Sequence, residues 1–409
     1  MRTVRSIDIT AIPEIKEKLL QWAQQYREVV YLDSNEYEQH YSSFDAMLAV
    51  DAFTSLKTSY EGAFEALDQY QQETKDWLFG YLTYDLKNDT EALESSNYDG
   101  LGFLDLFFFQ PKKVFLISGG TLQMRYLHFC DDEFDHDIAA ILEVEHNSSN
   151  VIKNNLQISQ RIPRDLYLEK ASKMLDHIQR GDIYEANFCM EFFSVDAVID
   201  PLVTYRQLNS ISQPPFAAFF KHAEHYLLCA SPERFLRKEG STLISQPIKG
   251  TARRSLNPAE DEAIKQELAA NEKERSENIM IVDLVRNDLS RTASKGSVHV
   301  PELCNVYSFK QVHHLISTVR SNLKEGVSSV NAIKATYPMG SMTGAPKISA
   351  MQIIESLEET RRGLYSGTIG YFTPEGDFDF NVVIRSILYN EKEKYVSFSV
   401  GSAITAKAV

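Results

Sequence analysis

The spacing of apolar residues predicts mainly strands and turns in the first half of the chain, and long helices with hairpins in the second. Residues 114–118 and 121–129 are rich in β-forming side chains and flank Gly119-Gly120, a two-residue loop typical of a β-hairpin. From Leu168 to Ile178 the apolar residues recur with a helical period and stop at Gly181, which predicts a helix with a glycine C-cap.

A strong helix start and a series of strands follow. Asn257 is a good N-cap and Pro258 a good first-turn residue, so we predict a helix from here to about Leu289. Apolar segments near the C-terminus predict strands at residues 368–372, 380–388 and 395–405. Because short turns join antiparallel neighbours, the pattern favours an α+β fold over an alternating β-α-β array.

The length of 409 residues exceeds what a single hydrophobic core usually supports. We therefore expect two closely packed parts, an N-terminal subdomain at residues 1–150 and a second region at residues 151–409 that carries the candidate chemistry. The polar segment at residues 146–159 is the predicted connection between them.

Composition narrows the class of protein. Acidic residues outnumber basic ones by 57 to 42, and this net charge of -15 disfavours a nucleic-acid binder, which needs a positive field. The four cysteines are widely spaced, which predicts neither a disulfide framework nor a zinc cluster and suits a reducing compartment. No apolar run approaches the roughly 18 residues of a membrane helix, so we expect a cytoplasmic protein without membrane contact.

The first candidate for chemistry is Lys249, which follows a predicted strand at residues 241–246 and precedes Gly250-Thr251. A lysine amine becomes a nucleophile when burial lowers its pKa, and a glycine beside it lets a ligand approach the backbone. Solvated loop lysines share this local pattern, so the spacing alone leaves both interpretations open.

Glu274 and Glu277 form a second candidate site. Residues three apart lie on one face of a helix, so both carboxylates can point at one hard cation. Mg²⁺ typically takes one or two protein carboxylates together with substrate oxygens. A solvated charged helix face has the same spacing, and it is the more common explanation of such a pair.

Three other polar positions stand in apolar surroundings. Glu233 lies between predicted strands at residues 226–230 and 235–238. Arg385 interrupts an apolar strand, where a charge needs a carboxylate partner from the protein or from a ligand. His313-His314 begins another apolar stretch, in which a histidine is more often a satisfied core residue than a ligand-binding one.

The segment from Gly340 to Lys347 looks at first like a phosphate-binding loop. Its glycines are one residue too close, and Ala345-Pro346 separates the second glycine from the lysine, so it does not have the GxxxxGK[ST] pattern. We predict instead a turn of small residues that opens an amphipathic helix.

Taken together and in this order, these segments resemble the chorismate-utilising enzymes. The resemblance runs from about Pro163 to the C-terminus, and residues 79–85 also resemble an early strand of that family. The matching stretches are residues 231–236, 247–251, 279–291, 313–319, 338–347, 361–371 and 380–387. The resemblance implies an α+β fold in which two large, mostly antiparallel sheets pack as a sandwich with helices on the outside.

Lys249 indicates which reaction the resemblance implies. The branch of the family that makes 4-amino-4-deoxychorismate typically has Pro-Ile-Lys-Gly-Thr here, whereas anthranilate synthase usually has a small residue in place of the lysine. The implied activity is amination of chorismate through a covalent lysine intermediate, for 4-aminobenzoate and folate synthesis. Ammonia would come from a partner glutamine amidotransferase subunit. The alternatives are anthranilate synthase component I, or a weakly active chain that binds chorismate or docks the amidotransferase.

The same resemblance assigns roles residue by residue. Lys249 is the implied nucleophile and Glu233 the implied general acid. Glu277 is the implied ligand of Mg²⁺, with Glu274 in or near the layer of groups that surrounds the direct ligands. The residues implied to hold chorismate are Gly250, Thr251, His314, Thr343, Tyr365, Arg385 and Gly401.

Two features depart from the family pattern. Glu185 occupies a position that is often Gln in the ammonia-using relatives and Lys in the water-adding ones, which lowers the expectation of isochorismate chemistry. Family members usually continue into a last helix whose acidic residues supply a further Mg²⁺ carboxylate. This sequence ends at Val409, before that helix, so a weaker Mg²⁺ affinity is expected.

Overall fold

The computed structural model describes residues 1–37, 41, 44–145 and 156–407. Within these residues the chain forms twenty strands and ten α-helices. The strands are β1 Arg2–Asp8, β2 Glu28–Asp33, β3 Ala46–Thr58, β4 Leu78–Leu82, β5 Leu106–Ser118, β6 Thr121–Leu127, β7 Ser159–Gln160, β8 Glu185–Ser194, β9 Phe216–His222, β10 His225–Ser231, β11 Arg234–Glu239, β12 Thr242–Gln246, β13 Ile248–Arg253, β14 His299–Ser308, β15 Val312–Asn322, β16 Gly344–Ala345, β17 Thr368–Phe372, β18 Phe378–Asn381, β19 Ser386–Asn390 and β20 Tyr395–Thr405. The helices are α1 Ile15–Trp22, α2 Ala63–Thr74, α3 Lys87–Thr90, α4 Phe134–Glu143, α5 Arg164–Arg180, α6 Pro201–Ser212, α7 Pro258–Ala270, α8 Glu272–Ser290, α9 Ser329–Thr336 and α10 Lys347–Leu357.

Two series of strands branch from the long strand β5, which pairs with β3, β4 and β6. One series continues from β3 through β2, β9, β10, β19 and β20 to β8. The other continues from β4 through β17, β18, β11 and β12 to β15, which also pairs with β13 and β14. These pairings are all antiparallel, and with the helices they confirm the α+β class.

The larger hydrophobic core joins the two series of strands. It combines Phe220 and Leu227 from the first series with Leu236 and Val319 from the second. A second core packs the first series against α1, α4 and α6. Close packing on this scale fixes the strands relative to one another. Strands β8 and β20 of the first series and strands β13 and β15 of the second therefore form rigid walls for the functional site.

Several local predictions are confirmed. Strands β5 and β6 form the predicted hairpin, and both residues of the Gly119-Gly120 loop have positive φ angles. Helix α5 ends at Gly181, whose φ of 84° is the left-handed conformation that favours glycine at a C-cap. The Asn257 side chain accepts hydrogen bonds from the backbone N–H groups of Ala259 and Glu260 at the start of α7.

Two predicted elements are each divided in the structure. The helix predicted to run to about Leu289 is broken at Asn271, whose side chain caps α8 by accepting from the backbone N–H of Glu274. The strand predicted at residues 380–388 is interrupted between β18 and β19, where Arg385 has a φ of 53°. Around Arg385 the apolar run continues across the break, which is why the pattern did not predict it, whereas residues 271–278 are all polar and give no periodic signal for either a continuous or a broken helix. Both breaks help to position residues of the functional site.

The predicted connection at residues 146–159 lies largely outside the described residues, since residues 146–155 are not described. Among the described helices, none has both the length and the hydrophobicity that crossing a membrane requires.

Candidate active site

A cavity of about 530 Å³ lies where the ends of the two strand series meet helix α8. Ten of the eleven residues assigned from the sequence line this cavity. Thr343 is the exception within the described residues. It is fully buried, and its hydroxyl donates to the backbone carbonyls of Met339 and Gly340 at 3.3 and 3.2 Å. Thr343 therefore supports a wall of the cavity from behind.

Lys249 reaches the cavity from a β-bulge. The register of β13 against β15 shifts between Ile248 and Thr251, and Gly250 in this bulge has a φ of 92°. Bulges turn a side chain away from the regular pleat of the strand. The Lys249 amine lies 2.9 Å from Oε1 of Glu185, and the two side chains are 11% and 1% exposed. The lysine is thus a mostly buried group with a carboxylate at its tip.

Glu233 lies in the turn between β10 and β11 and is 4% exposed. Burial raises the pKa of the Glu233 carboxyl to about 7, although a hydrogen bond with Ser341 and the charges of Lys249 and Arg385 act in the opposite direction. A carboxyl group with this pKa is about half protonated at neutral pH. Glu233 can therefore give a proton to a leaving group in the cavity.

Arg385 and His314 form a third group. The Arg385 guanidinium lies 2.8 Å from Nε2 of His314, and burial lowers the pKa of that histidine to about 3. Because a guanidinium only donates, the neutral imidazole accepts at Nε2 and carries its proton on Nδ1. Nδ1 lies 2.9 Å from the Thr251 hydroxyl and can donate to it. The arrangement orients Arg385 without neutralising it, so its charge remains available to an anion.

Glu274 and Glu277 face the cavity from the first turns of α8. Burial and the neighbouring charge of Glu277 raise the pKa of the Glu274 carboxyl. The Thr405 hydroxyl donates to Glu277 at 3.2 Å, and the Lys273 amine is 3.9 Å from the same oxygen. Two carboxylates that repel one another across a cavity wall are suited to a divalent cation. Among the described residues, no group of three or more His, Cys, Asp or Glu side chains is arranged as a metal site.

Gly401 and Tyr365 complete the described walls. A Cβ atom at position 401 would lie 2.7 Å from the Asn187 amide nitrogen and 2.9 Å from the Cys189 sulfur, so a larger residue between β20 and β8 would have to displace these two side chains. Tyr365 is 4% exposed, and burial raises the pKa of its hydroxyl, so it is a neutral hydrogen-bonding group.

Two residues that the sequence pattern did not single out also support the site. Ser341 contacts Glu233, and it lies in the turn of small residues for which the sequence predicts only the start of a helix. Arg362 is buried and donates to the backbone carbonyls of Met342 and Asn187 at 2.6 and 2.7 Å. It thereby ties that turn to β8. The sequence around Arg362 gives only a weak indication of this role, namely that Tyr365, a cavity residue, follows three positions later.

Comparison of this chain with known proteins identifies its family. The family model for chorismate binding enzymes matches residues 27–409. The chain belongs to the chorismate binding enzyme family.

Curated relatives of this chorismate binding enzyme carry two different names. The "Aminodeoxychorismate synthase component 1" of Bacillus subtilis is 38% identical over 336 residues, which cover 80% of this chain and 71% of that protein. The "Anthranilate synthase component 1" of Thermus thermophilus is 31% identical over 370 residues, which cover 88% of this chain and 79% of that protein. The chloroplastic aminodeoxychorismate synthase of Arabidopsis thaliana is 40% identical over 298 residues, or 71% of this chain.

The chain spans about a third of the length of the plant and Streptomyces synthases that it matches. Among solved structures, anthranilate synthase component I from Streptococcus pneumoniae superposes with a TM-score of 0.79, covering 91% of each chain at 22% identity. At this identity the likeness establishes the fold, and the structure therefore has the architecture of the chorismate binding enzymes.

Proposed function

We propose that this chain is the ammonia-using component of an aminodeoxychorismate synthase, which converts chorismate and ammonia to 4-amino-4-deoxychorismate and water. The observation that carries this proposal is the Lys249 amine on the cavity wall, close enough to Glu233 for its charge to lower the pKa of that carboxyl. The relatives named aminodeoxychorismate synthase support it, at up to 46% identity in the matched segment.

Lys249 acts as a covalent nucleophile in this proposal. Its nitrogen attacks carbon 2 of the chorismate ring, the ring double bonds shift, and the hydroxyl on carbon 4 leaves. Ammonia then attacks carbon 4 and expels the lysine. Dividing one difficult displacement into two steps is the general advantage of covalent catalysis.

Glu233 supplies the proton that the leaving hydroxyl needs. Hydroxide is a poor leaving group, whereas water formed with a proton from Glu233 leaves readily. The raised pKa, about 7, keeps a large share of this carboxyl protonated at neutral pH. The Ser341 contact holds the group at the cavity wall while it changes charge.

Arg385 and the pair Glu277 and Glu274 would receive the two carboxylates of chorismate, Arg385 directly and the glutamates through the Mg²⁺ that they would hold. The free N–H groups of Arg385 grip one carboxylate in a bidentate manner, since His314 engages a single guanidinium nitrogen. Glu277 and Glu274 would hold Mg²⁺, and the mutual repulsion that raises the pKa of Glu274 fits such a site. When bound, Mg²⁺ neutralises the other substrate carboxylate.

Ammonia reaches the site from a glutamine amidotransferase subunit in this proposal, in keeping with the "component 1" in the names of relatives. The product leads to 4-aminobenzoate and folate. The relatives named anthranilate synthase favour a second candidate, in which ammonia adds at ring carbon 2 instead of carbon 4, the 4-hydroxyl leaves as water, and loss of pyruvate gives anthranilate. A third candidate is a chain that binds chorismate without turnover.

Product identification decides among these three functions. The protein is incubated with chorismate, Mg²⁺ and an ammonium salt at alkaline pH, and the products are separated by chromatography. We expect 4-amino-4-deoxychorismate, and we expect none from the Lys249→Ala variant. Fluorescent anthranilate as the product would contradict the proposal in favour of the second candidate. Mg²⁺-dependent binding of chorismate without any product would favour the third.

A further inference from the structure

Glu185 is a buried carboxylate in contact with the proposed nucleophile. Its side chain is 1% exposed, and its Oε1 lies 2.9 Å from the Lys249 amine. Its second oxygen, Oε2, is buried and has no hydrogen-bond partner among the described residues. This carboxylate thus directs one oxygen at the lysine while the other is left without the donors that a stable buried anion usually has.

Both members of this pair are held in place by backbone contacts. Glu185 begins β8, and its backbone is in register with Ala345 of β16 on one side and Thr405 of β20 on the other. Lys249 lies in the β13 bulge, where the Asn278 side chain donates to its carbonyl at 3.3 Å. The carboxylate and the amine therefore stay in contact.

We propose that Glu185 is a catalytic residue that takes the proton of the Lys249 ammonium and later returns it. This inference rests on the proposed function, because it requires Lys249 to be the nucleophile. An ammonium group has no free electron pair and cannot attack, so its proton must first pass to a base. Proton transfer to Glu185 also removes both charges of a pair whose burial is costly.

The proposed steps balance in protons and electrons. One proton moves from the Lys249 ammonium to Glu185, and the nitrogen electron pair then forms the bond to carbon 2. The bond between carbon 4 and oxygen breaks, and the hydroxide leaves as water with the proton of Glu233. When ammonia bonds to carbon 4, the electron pair of the breaking carbon–nitrogen bond returns to Lys249. The new ammonium group gives a proton to Glu233, and Glu185 returns its own to Lys249.

The test measures how fast the lysine adduct forms. Wild-type, Glu185→Gln and Glu185→Asp proteins are mixed with chorismate and Mg²⁺ without ammonia, quenched over time and analysed by intact-protein mass spectrometry. Gln keeps the shape of the side chain but takes no proton, whereas Asp keeps the carboxylate with a shorter reach. We expect Gln to slow adduct formation by about 10²-fold and Asp by about tenfold, with chorismate affinity changed little.

Glu191→Gln is the matched control, since Glu191 is a buried carboxylate on the same strand that bonds Tyr395 and Ser397 away from the cavity. Its adduct should form at the wild-type rate. The proposal would be overturned if the Glu185→Gln variant formed the adduct as fast as the wild type, or faster. It would also be overturned if the Gln and Asp variants lost the same share of the rate of adduct formation. If wild-type protein made no adduct, the proposed nucleophile itself would be wrong, and the role of Glu185 with it.

Discussion

Two buried lysines in this protein have similar exposure and different surroundings. Lys249 and its partner Glu185 are 11% and 1% exposed, and Lys347 and its partner Asp288 are 8% and 4% exposed. The Lys347 amine donates to Asp288 at 2.6 Å and to the Thr336 carbonyl at 3.0 Å, and it does not line the cavity. The Lys249 amine lies in the cavity wall beside the Glu185 carboxylate, whose Oε2 has no hydrogen-bond partner among the described residues.

The two lysines are similarly buried, so the proposed reactivity of Lys249 depends on its surroundings. The Lys347 amine, with two short hydrogen bonds inside packed structure, joins α10 to α8 and α9, and burial lowers its pKa although the charge of Asp288 acts in the opposite direction. An amine next to a base and open to a ligand cavity can lose its proton and attack. The predictions below separate these two roles, beginning with the largest expected effect.

Lys249→Ala should lower the rate of amination by about 10³-fold or more, because the nucleophile is lost. The chain should remain folded, since the shortened side chain extends the cavity towards Glu185 and lets water solvate that carboxylate. Steady-state product formation and circular dichroism measure the two effects. Full activity in this variant would remove Lys249 from the mechanism.

Lys347→Ala, the same substitution at the other buried lysine, should lower the free energy of unfolding by about 3–5 kcal/mol. It leaves the buried Asp288 carboxylate with the longer, 3.8 Å contact to the half-exposed Arg291, and burial already raises the pKa of that carboxyl. Denaturant titration measures the loss, and the double variant Lys347→Met/Asp288→Leu should recover most of it. A single variant as stable as the wild type would show that the pair is not structural.

The pH dependence of adduct formation should follow Glu233. This carboxyl acts as an acid, so its protonated form is the active one, and a pKa of about 7 keeps that form populated below pH 7. At chorismate concentrations well below saturation, where the rate reports the free protein, it should fall about tenfold for each pH unit well above 7. Rapid-quench measurements across a pH series test this. The Glu233→Gln variant should form the adduct more slowly, and its rate should not decline with pH in this way. If the variant kept the same decline, the decline would belong to the titration of another group.

Glu277→Gln should weaken Mg²⁺ binding in the presence of chorismate by about tenfold, the smallest of these effects, because one carboxylate ligand remains. Calorimetric titration of Mg²⁺ measures it. Glu272→Gln is the control, since Glu272 is an exposed carboxylate in the first turn of the same helix. Equal Mg²⁺ affinities in both variants would contradict the assignment of Glu277.

The sequence predicted the local structure well where one signal was sufficient. Glycines in the β5–β6 loop and after α5, and the Asn257 cap, each depend on contacts within a few residues. The pattern did not predict the break at Arg385 because the apolar run continues across it, and it did not predict the break at Asn271 because the polar residues 271–278 carry no periodic signal. Both breaks lie at the cavity, since one starts α8 just before Glu274 and Glu277, which line it, and the other lies at Arg385, which also lines it.

Sequence motifs predicted which residues form the site. The contacts that determine the chemistry of these residues join segments that are far apart in the sequence, so no motif contains them. Lys249 and Glu185 belong to strands far apart in the sequence, so their 2.9 Å contact required the fold. The same is true of the neutral His314, which depends on burial and on Arg385. Glu185 was noted as a departure from a family pattern, and its position against Lys249 gives that departure a physical reason.

Whether Lys249 forms a covalent bond to chorismate is the most direct test of this account. The protein is incubated with chorismate and Mg²⁺ without ammonia, and its intact mass and proteolytic peptides are measured. We expect an adduct with the mass of chorismate less one water, located on Lys249 and discharged to 4-amino-4-deoxychorismate when an ammonium salt is added. Product formation with ammonia but no adduct on Lys249, or an adduct on another residue, would contradict it.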